Sequence, residues 1–338
     1  MTQSSEPNDA LAHGQVLLAA ARSNIEKIQA YLKIGDAQHD LAEYDSALKT
    51  FAQAEILARH GKNPQWIAEC LSSQVRVAGG QSKYASVLKM AREAVGLARA
   101  ANQPSTLAKA LHWLGNTEFY LGNISTAQGL LEEALAVVRG TDDPLRVATT
   151  MTLLGRIHGQ AGRQHKRIEL LMAALKINQD LGYQKGIAMC LTGLSWTMLL
   201  EGKFADSERL SLEALGLLRA EKSKWATANT LLNLSHARLG LGFIQAARQN
   251  LLEALEIATQ IGSNNLLLEL LVAAARAEHS PEHARRWIAI AVMHPNSTAE
   301  LRSFAAPDIE RLEIALKSVD AASLAHILPE VKARLEQG

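Results

Sequence analysis

The chain repeats itself with a forty-residue period, and that period constrains its fold more than any other feature. The alanine of the phrase Glu-Ala-Leu and its variants falls at Ala54, Ala94, Ala134, Ala174, Ala214 and Ala254, always in the same step. Glycine recurs in that step at Gly122, Gly162, Gly202 and Gly242. An apolar residue followed by a small one recurs at Ile34-Gly35, Leu114-Gly115, Leu154-Gly155, Leu194-Ser195 and Leu234-Ser235. A unit of this length cannot bury its apolar stripe alone, so consecutive units must stack and share a core.

Within a unit the apolar spacing is helical. In the third unit Leu107, Ala110, Leu111 and Leu114 form the stripe of a first helix, helix A, predicted from about Thr106 to Leu121. Gly122-Asn123 ends it, as glycine just past a helix terminus does. Ile124, Ala127, Leu131, Ala134, Leu135 and Val138 form the stripe of a second helix, helix B, and Pro144 is placed to open the next unit. No segment sustains strand alternation. Gly115, Ala127 and Ala134 are small where helix axes must approach to the short end of the ~8–10 Å range; a leucine at Ala134 would overpack by about 1–3 kcal/mol. The fold class is therefore all-α, an α-solenoid of stacked antiparallel helix pairs.

The ends depart from the period. Residues 1–23 read as a polar tail and a capping helix over about Asn8–Ala21, with Leu11 and Leu17 standing one period before Phe51 and Leu57. Residues 24–295 hold six full repeats and a seventh, whose turn EHSPEHA is shortened by about one helical step of three. Residues 296–338 read as a C-terminal helical cap over the last core face. There, Ser297 to Glu300 spell a capping box, Pro307 is placed to open a short helix, and DAASLAHILPEVKARLEQ is the last helix.

These marks resemble the tetratricopeptide repeat. Its pattern of an apolar residue, Leu-Gly, an inter-helix glycine, and then Ala, a large apolar residue and Ala, is met by Leu111, Leu114-Gly115, Gly122, Ile124, Ala127, Leu131 and Ala134. The first unit meets it with Tyr31, Ile34-Gly35, Tyr44, Ala47, Phe51 and Ala54. The resemblance covers about residues 24–292 and implies a right-handed superhelix. The aromatic usual in the middle of helix A is replaced by Gln38, Ala78, Glu118, His158, Met198 and Arg238. The period exceeds the family's usual ~34 and lengthens helix B and the following helix A by about a turn each. This long-repeat variety resembles the sensor regions of bacterial signalling activators and related ATPases, quorum-sensing peptide receptors and kinesin light chains.

The resemblance places a ligand on the concave wall, lined by helix A side chains that point away from helix B. One station there reads Asp36, Arg76, Asn116, Arg156, Trp196, His236 and Arg276 through the seven units. Four positions earlier stand Leu32, Ser72, His112, Thr152, Thr192, Leu232 and Val272. Three before those stand Gln29, Glu69, Lys109, Thr149, Met189, Asn229 and Glu269. Packing explains why the buried rows are monotonous and does not explain why these rows vary. The candidate binding residues are Arg76, Lys109, His112, Asn116, Thr152, Arg156, Trp196, Asn229, His236 and Arg276. For Trp196 two readings stand: an aromatic-plus-cation patch with His236 and Arg156, or a ring packed into the seam between repeats. The fixed Lys/Asn set with which some family members grip a C-terminal carboxylate is incomplete, with only Asn116 and Lys109 suggestive of it.

Other chemistry is not written in the chain. A net charge of +1 gives no basic surplus for nucleic acid or an anionic membrane. No run approaches ~20 apolar residues, and the first residues lack a signal-peptide pattern. Phosphate-loop, dinucleotide and zinc-protease motifs are missing. His279 and His283 are four apart, but Pro281 between them marks a turn. Cys70 and Cys190 occupy equivalent repeat positions three periods apart, too distant in a solenoid for a bridge, and reduced thiols suit the cytoplasm. The expectation is a non-catalytic interaction module, without cofactor, that holds a peptide or protein segment in its concave groove. The alternative is a small-ligand or peptide sensor region of a bacterial regulator.

Overall fold

The computed structural model describes residues 7–314 and 324–337, and these form 17 helices with no strand among them. The chain divides into two compact units, Met1–Ile187 with Glu221–Ser223, and Ala188–Ala220 with Lys224–Gly338. The first unit holds α1 (Pro7–Ala20) and then the pairs α2 (Asn24–Asp40) with α3 (Tyr44–His60), α4 (Pro64–Gly80) with α5 (Tyr84–Ala100), α6 (Pro104–Tyr120) with α7 (Ile124–Arg139), and α8 (Pro144–Gln160) with α9 (Gln164–Asp180). The helix α10 (Gln184–Leu200) starts there and continues into the second unit. That unit holds α11 (Phe204–Ala220), α12 (Lys224–Gly240), α13 (Ile244–Gln260), α14 (Asn264–Ala277), α15 (Pro281–Met293), α16 (Ala299–Arg311) and α17 (Leu324–Gln337). From α1 to α9 and from α11 to α16 successive helices pack on one another, α17 packs on α13 and α14, and helices A of adjacent repeats also touch.

The period has a finer structure than the sequence marks suggest. From Ala42 to Gly262 a residue of positive φ recurs at every half-period, position 142 excepted. Each repeat is thus two similar halves, each a helix and a short turn; α6 has 17 residues and α7 has 16. At Gly122, φ is 85°, and the turn closes with Gly122 N–H donating to Phe119 O at 3.0 Å and Asn123 N–H to Glu118 O at 2.9 Å. This satisfies the last carbonyls of α6, and only glycine adopts that φ without steric cost. The seventh pair is shorter, with α14 of 14 residues and α15 of 13.

The small-residue rows pack as their spacing requires. Ala54, Ala94, Ala134, Ala174, Ala214 and Ala254 are all at most 1% exposed. A Cβ on Gly115 would lie 2.8 Å from Leu131 Cγ and 3.4 Å from Ala127 O, so α6 and α7 meet in direct backbone contact. One repeat breaks this rule by compensation. Arg167 stands where other repeats have Ala47, Ala127 or Ala247, and it is buried. Gly159 opposite gives it room, since a Cβ there would fall 2.6 Å from Arg167 Nη1.

At four of the six positions the missing helix A aromatic is replaced by a polar link. Gln38 Oε1 accepts from Thr50 at 2.7 Å, buried Glu118 pairs with Arg92 at 3.0 Å, Arg163 donates to His158 at 2.8 Å, and Arg238 pairs with Glu208 at 2.9 Å.

Two details beyond the seventh pair differ from the sequence reading. Thr298, not Ser297, is the N-cap of α16, its hydroxyl accepting from Leu301 N–H at 3.0 Å; Ser297 is drawn into the preceding turn by its N–H bond to His294 O. Pro307 lies inside α16 instead of opening a helix. Pro307 and Ser303, whose carbonyl loses its partner, both face solvent, where water replaces the missing bond. The last helix is described from Leu324, and Asp320 to Ser323 lie outside the described residues.

Candidate binding wall

In the first unit the predicted stations are cross-linked one repeat apart. Arg76 on α4 pairs with Asp36 on α2, and its Nη1 donates to His39 Nδ1 at 2.9 Å. Lys109 on α6 reaches Glu69 on α4 at 2.7 Å and Ser73 Oγ at 3.0 Å, while Thr106 donates to the other oxygen of Glu69 at 2.7 Å. These bonds fix long side chains that would otherwise be mobile.

His112 is buried rather than lining open solvent, with Nδ1 3.3 Å from Thr150 Oγ1. Burial, and secondarily the charge of Arg146, push its pKa down to about 3, so it is neutral. Thr152 returns its hydroxyl to Ala148 O at 2.9 Å. Arg156 on α8 donates to Tyr120 Oη at 3.0 Å and lies 5.0 Å from the centroid of Phe119 and 5.3 Å from that of Tyr120. Tyr120 stacks on Tyr84 at 4.3 Å, extending an aromatic and cationic ledge across three repeats. Asn116 is half-buried beside them.

Sequence reasoning missed Asp40 and Lys185. Lys185, in the first turn of α10, reaches Asp40 at the end of α2 at 2.8 Å, 145 residues away. Asp40 also lies 3.5 Å from His39. Although burial opposes it, the neighbouring His39 and the ion pair with Lys185 leave the Asp40 carboxyl well below its usual range. Burial first, then Arg76, push His39 down to about 4. The spacing between consecutive marks is silent about a pair so distant in sequence.

In the second unit the same station brings together Trp196 on α10, His236 on α12 and Arg276 on α14. Trp196 and His236 rings are 6.3 Å apart, and Arg276 Nη1 lies 3.4 Å from His236 Nδ1. What the sequence did not reveal is that this seat is filled by α16. Phe304 sits 4.9 Å from Trp196, 5.0 Å from His236 and 4.1 Å below the Arg276 guanidinium carbon. Asp308 accepts from Arg276. Trp196 is therefore half-buried beneath α16, and His236 is buried and held neutral, its pKa pushed well down by burial and then by Arg276. Arg156 belongs to the first unit and Trp196 to the second. Asn229 is half-buried on α12. Phe304 and Asp308 lie beyond the periodic region, where the repeat marks carry no information.

Elsewhere, Arg248 donates to His279 Nδ1 at 2.9 Å. Among the described residues no three His, Cys, Asp or Glu side chains converge as a metal site would require, and no helix is long and apolar enough to cross a membrane. Cys70 and Cys190 are buried free thiols.

No curated protein matches the sequence. The tetratricopeptide-repeat family model matches residues 106–180, the third repeat and most of the fourth. Among solved structures, the chain is similar to the Rap conjugation gene regulator of plasmid pLS20 in complex with the Phr* peptide. The two share 14% identity and a TM-score of 0.63, over 99% of this chain and 97% of that one. It is similar to a Rap protein complexed with competence and sporulation factor, at 13% identity and TM-score 0.58, over 92% and 99%. It also resembles a signal-transduction ATPase with a tetratricopeptide repeat sensor from Pyrococcus horikoshii, at 13% identity and TM-score 0.51, over 99% of this chain and 55% of that one. The family model thus covers two of the repeat units, and the in-register marks and paired helices carry the same two-helix architecture through the others.

Proposed function

We propose that this chain is a non-catalytic binding module, an adaptor or regulator that holds a peptide or protein segment against its helix A wall. The observation that carries this reading is the seat in the second unit. Side chains from three successive helices A grip an aromatic ring and a carboxylate offered by an element outside the repeats. A wall of this kind reads a segment by spaced side-chain stations, as groove-binding helical proteins do. In the first unit the proposed stations are Arg76, Lys109, Asn116, Thr152 and Arg156, with His112 buried behind them; in the second they are Trp196, Asn229, His236 and Arg276. Residues 24–295 supply the binding array, with 1–23 and 296–338 as its caps. The fold likeness to Rap proteins, one solved with the Phr* peptide and one with competence and sporulation factor, supports a regulatory peptide-binding role, and the reduced buried thiols suit the cytoplasm.

The test is affinity capture from source-cell lysate with the wild type and with an Asn116→Ala/Thr152→Ala/Arg156→Ala variant, followed by protein mass spectrometry. A protein or peptide recovered by the wild type and lost by the variant supports the reading. Identical eluates oppose it and favour the small-ligand sensor, for which the compact Trp196–His236–Arg276 cluster is the natural site.

A further inference from the structure

The way α16 is held implies the chemistry of the partner. α16 meets the second unit with Leu301, Phe304, Ala305 and Asp308, the i, i+3, i+4 and i+7 positions of one helix face. Leu301 and Ala305 join the apolar core of α14 and α15. Phe304 enters between Trp196, His236 and the guanidinium of Arg276. One turn later Asp308 receives Arg276 Nε at 2.9 Å and Nη2 at 2.7 Å, while the same Nη2 donates to Phe304 O at 3.1 Å. The seat thus reads a ring and a carboxylate four positions apart on a helix.

α16 is also suited to exchange. It stands outside the repeat period, so no repeat fixes its register. Pro307 removes one of its own backbone bonds. Its other face, with Arg302, Ser303, Ala306 and Glu310, is exposed.

We propose that the Trp196–His236–Arg276 seat binds a helical segment of a partner protein, bearing an aromatic residue with Asp or Glu four positions after it, in competition with α16. This rests on the wall being a segment-binding surface, and it assigns that surface a ligand class and an internal competitor.

The probe is a fluorescently labelled peptide of residues 297–313, measured by anisotropy against the whole protein. A Phe304→Ala/Asp308→Asn protein, emptied of its own occupant, is expected to bind it saturably. The wild type is expected to bind about a hundredfold more weakly, because a tethered segment competes at an effective concentration of order millimolar. Peptides with Phe304→Ala or Asp308→Asn should not bind. Arg276→Glu in the emptied protein should abolish binding, and a peptide with Asp308→Lys should restore it. A folded emptied protein that leaves the peptide free at about 1 mM, or binds the altered peptides equally, overturns the proposal and makes α16 a permanent cap. If the double variant fails to fold, Asp308→Asn alone decides: tighter peptide binding than wild type supports competition, and unchanged affinity overturns it. Lysate capture that still depends on Asn116, Thr152 and Arg156 while the peptide fails would sink this proposal and leave the binding-module reading standing.

Discussion

Arg276 of α14 and Asp308 of α16 form a two-nitrogen, one-oxygen pair, Nε at 2.9 Å and Nη2 at 2.7 Å from the same Oδ2, while Arg311 takes Oδ1 at 3.0 Å. Asp308 is buried and Arg276 half-buried, which places this pair above the surface ion pairs of small value and gives it charge-assisted strength. Removing the charge should therefore loosen α16 first. Asp308→Asn is expected to lower the free energy of α16 opening by about 1–3 kcal/mol, seen as faster amide hydrogen exchange in α16 with α2–α5 unchanged. Equal exchange in both proteins would contradict the pair's role.

Gly159 and Arg167 should behave as one site. Gly159→Leu alone drives a side chain into Arg167 and should cost about 1–3 kcal/mol or more. Adding Arg167→Ala recreates the large-and-small pairing of Phe119 with Ala127 at the matching positions of the preceding repeat, and should recover most of the loss. A double-mutant cycle on urea melts with no coupling between the two changes would refute the compensation.

This pair also marks how far the sequence could be read. The period, the alanine row and the turn glycines were legible because packing and backbone geometry repeat identically in each unit. Arg167 in an alanine row was not interpretable, since its permissive partner Gly159 lies on another helix. The wall stations could be placed in register, but not their burial: His112 and His236 are covered, because neighbouring helices and α16 close over them. Asp40–Lys185 and Phe304–Trp196 join positions several repeats apart in the chain, and nothing local encodes such contacts.

Acid should weaken the fold. His39 is held at about 4, His112 at about 3, and His236 well below its usual 6.5. Unfolding releases each to titrate near 6.5, so between pH 6.5 and about 4 the unfolded chain binds protons that the folded chain does not. Stability must then fall as pH drops through that window, by roughly 1–2 kcal/mol for each of His39 and His112 between pH 7 and 5, with His236 acting in the same direction. Urea melts at the two pH values should show the loss, and His39→Gln should reduce it. A pH-independent midpoint would contradict the buried neutral histidines.

Neither thiol should react while the protein is folded. Cys70 and Cys190 are both fully buried, and burial pushes the Cys70 thiol up to about 12, leaving almost no thiolate. A disulfide-exchange reagent should titrate both groups only in denaturant. Rapid modification of either in buffer would show that its repeat opens readily.

The central claim is that ligand binding belongs to the helix A wall, and site-specific photo-cross-linking tests it most directly. A photoreactive phenylalanine analogue would replace Thr152 on the wall, or Ile56 on the exposed face of the helix B α3, with irradiation in source-cell lysate. The account predicts a discrete protein or peptide adduct from position 152 and none from position 56. An adduct from position 56 alone, or the same adducts from both, would contradict it.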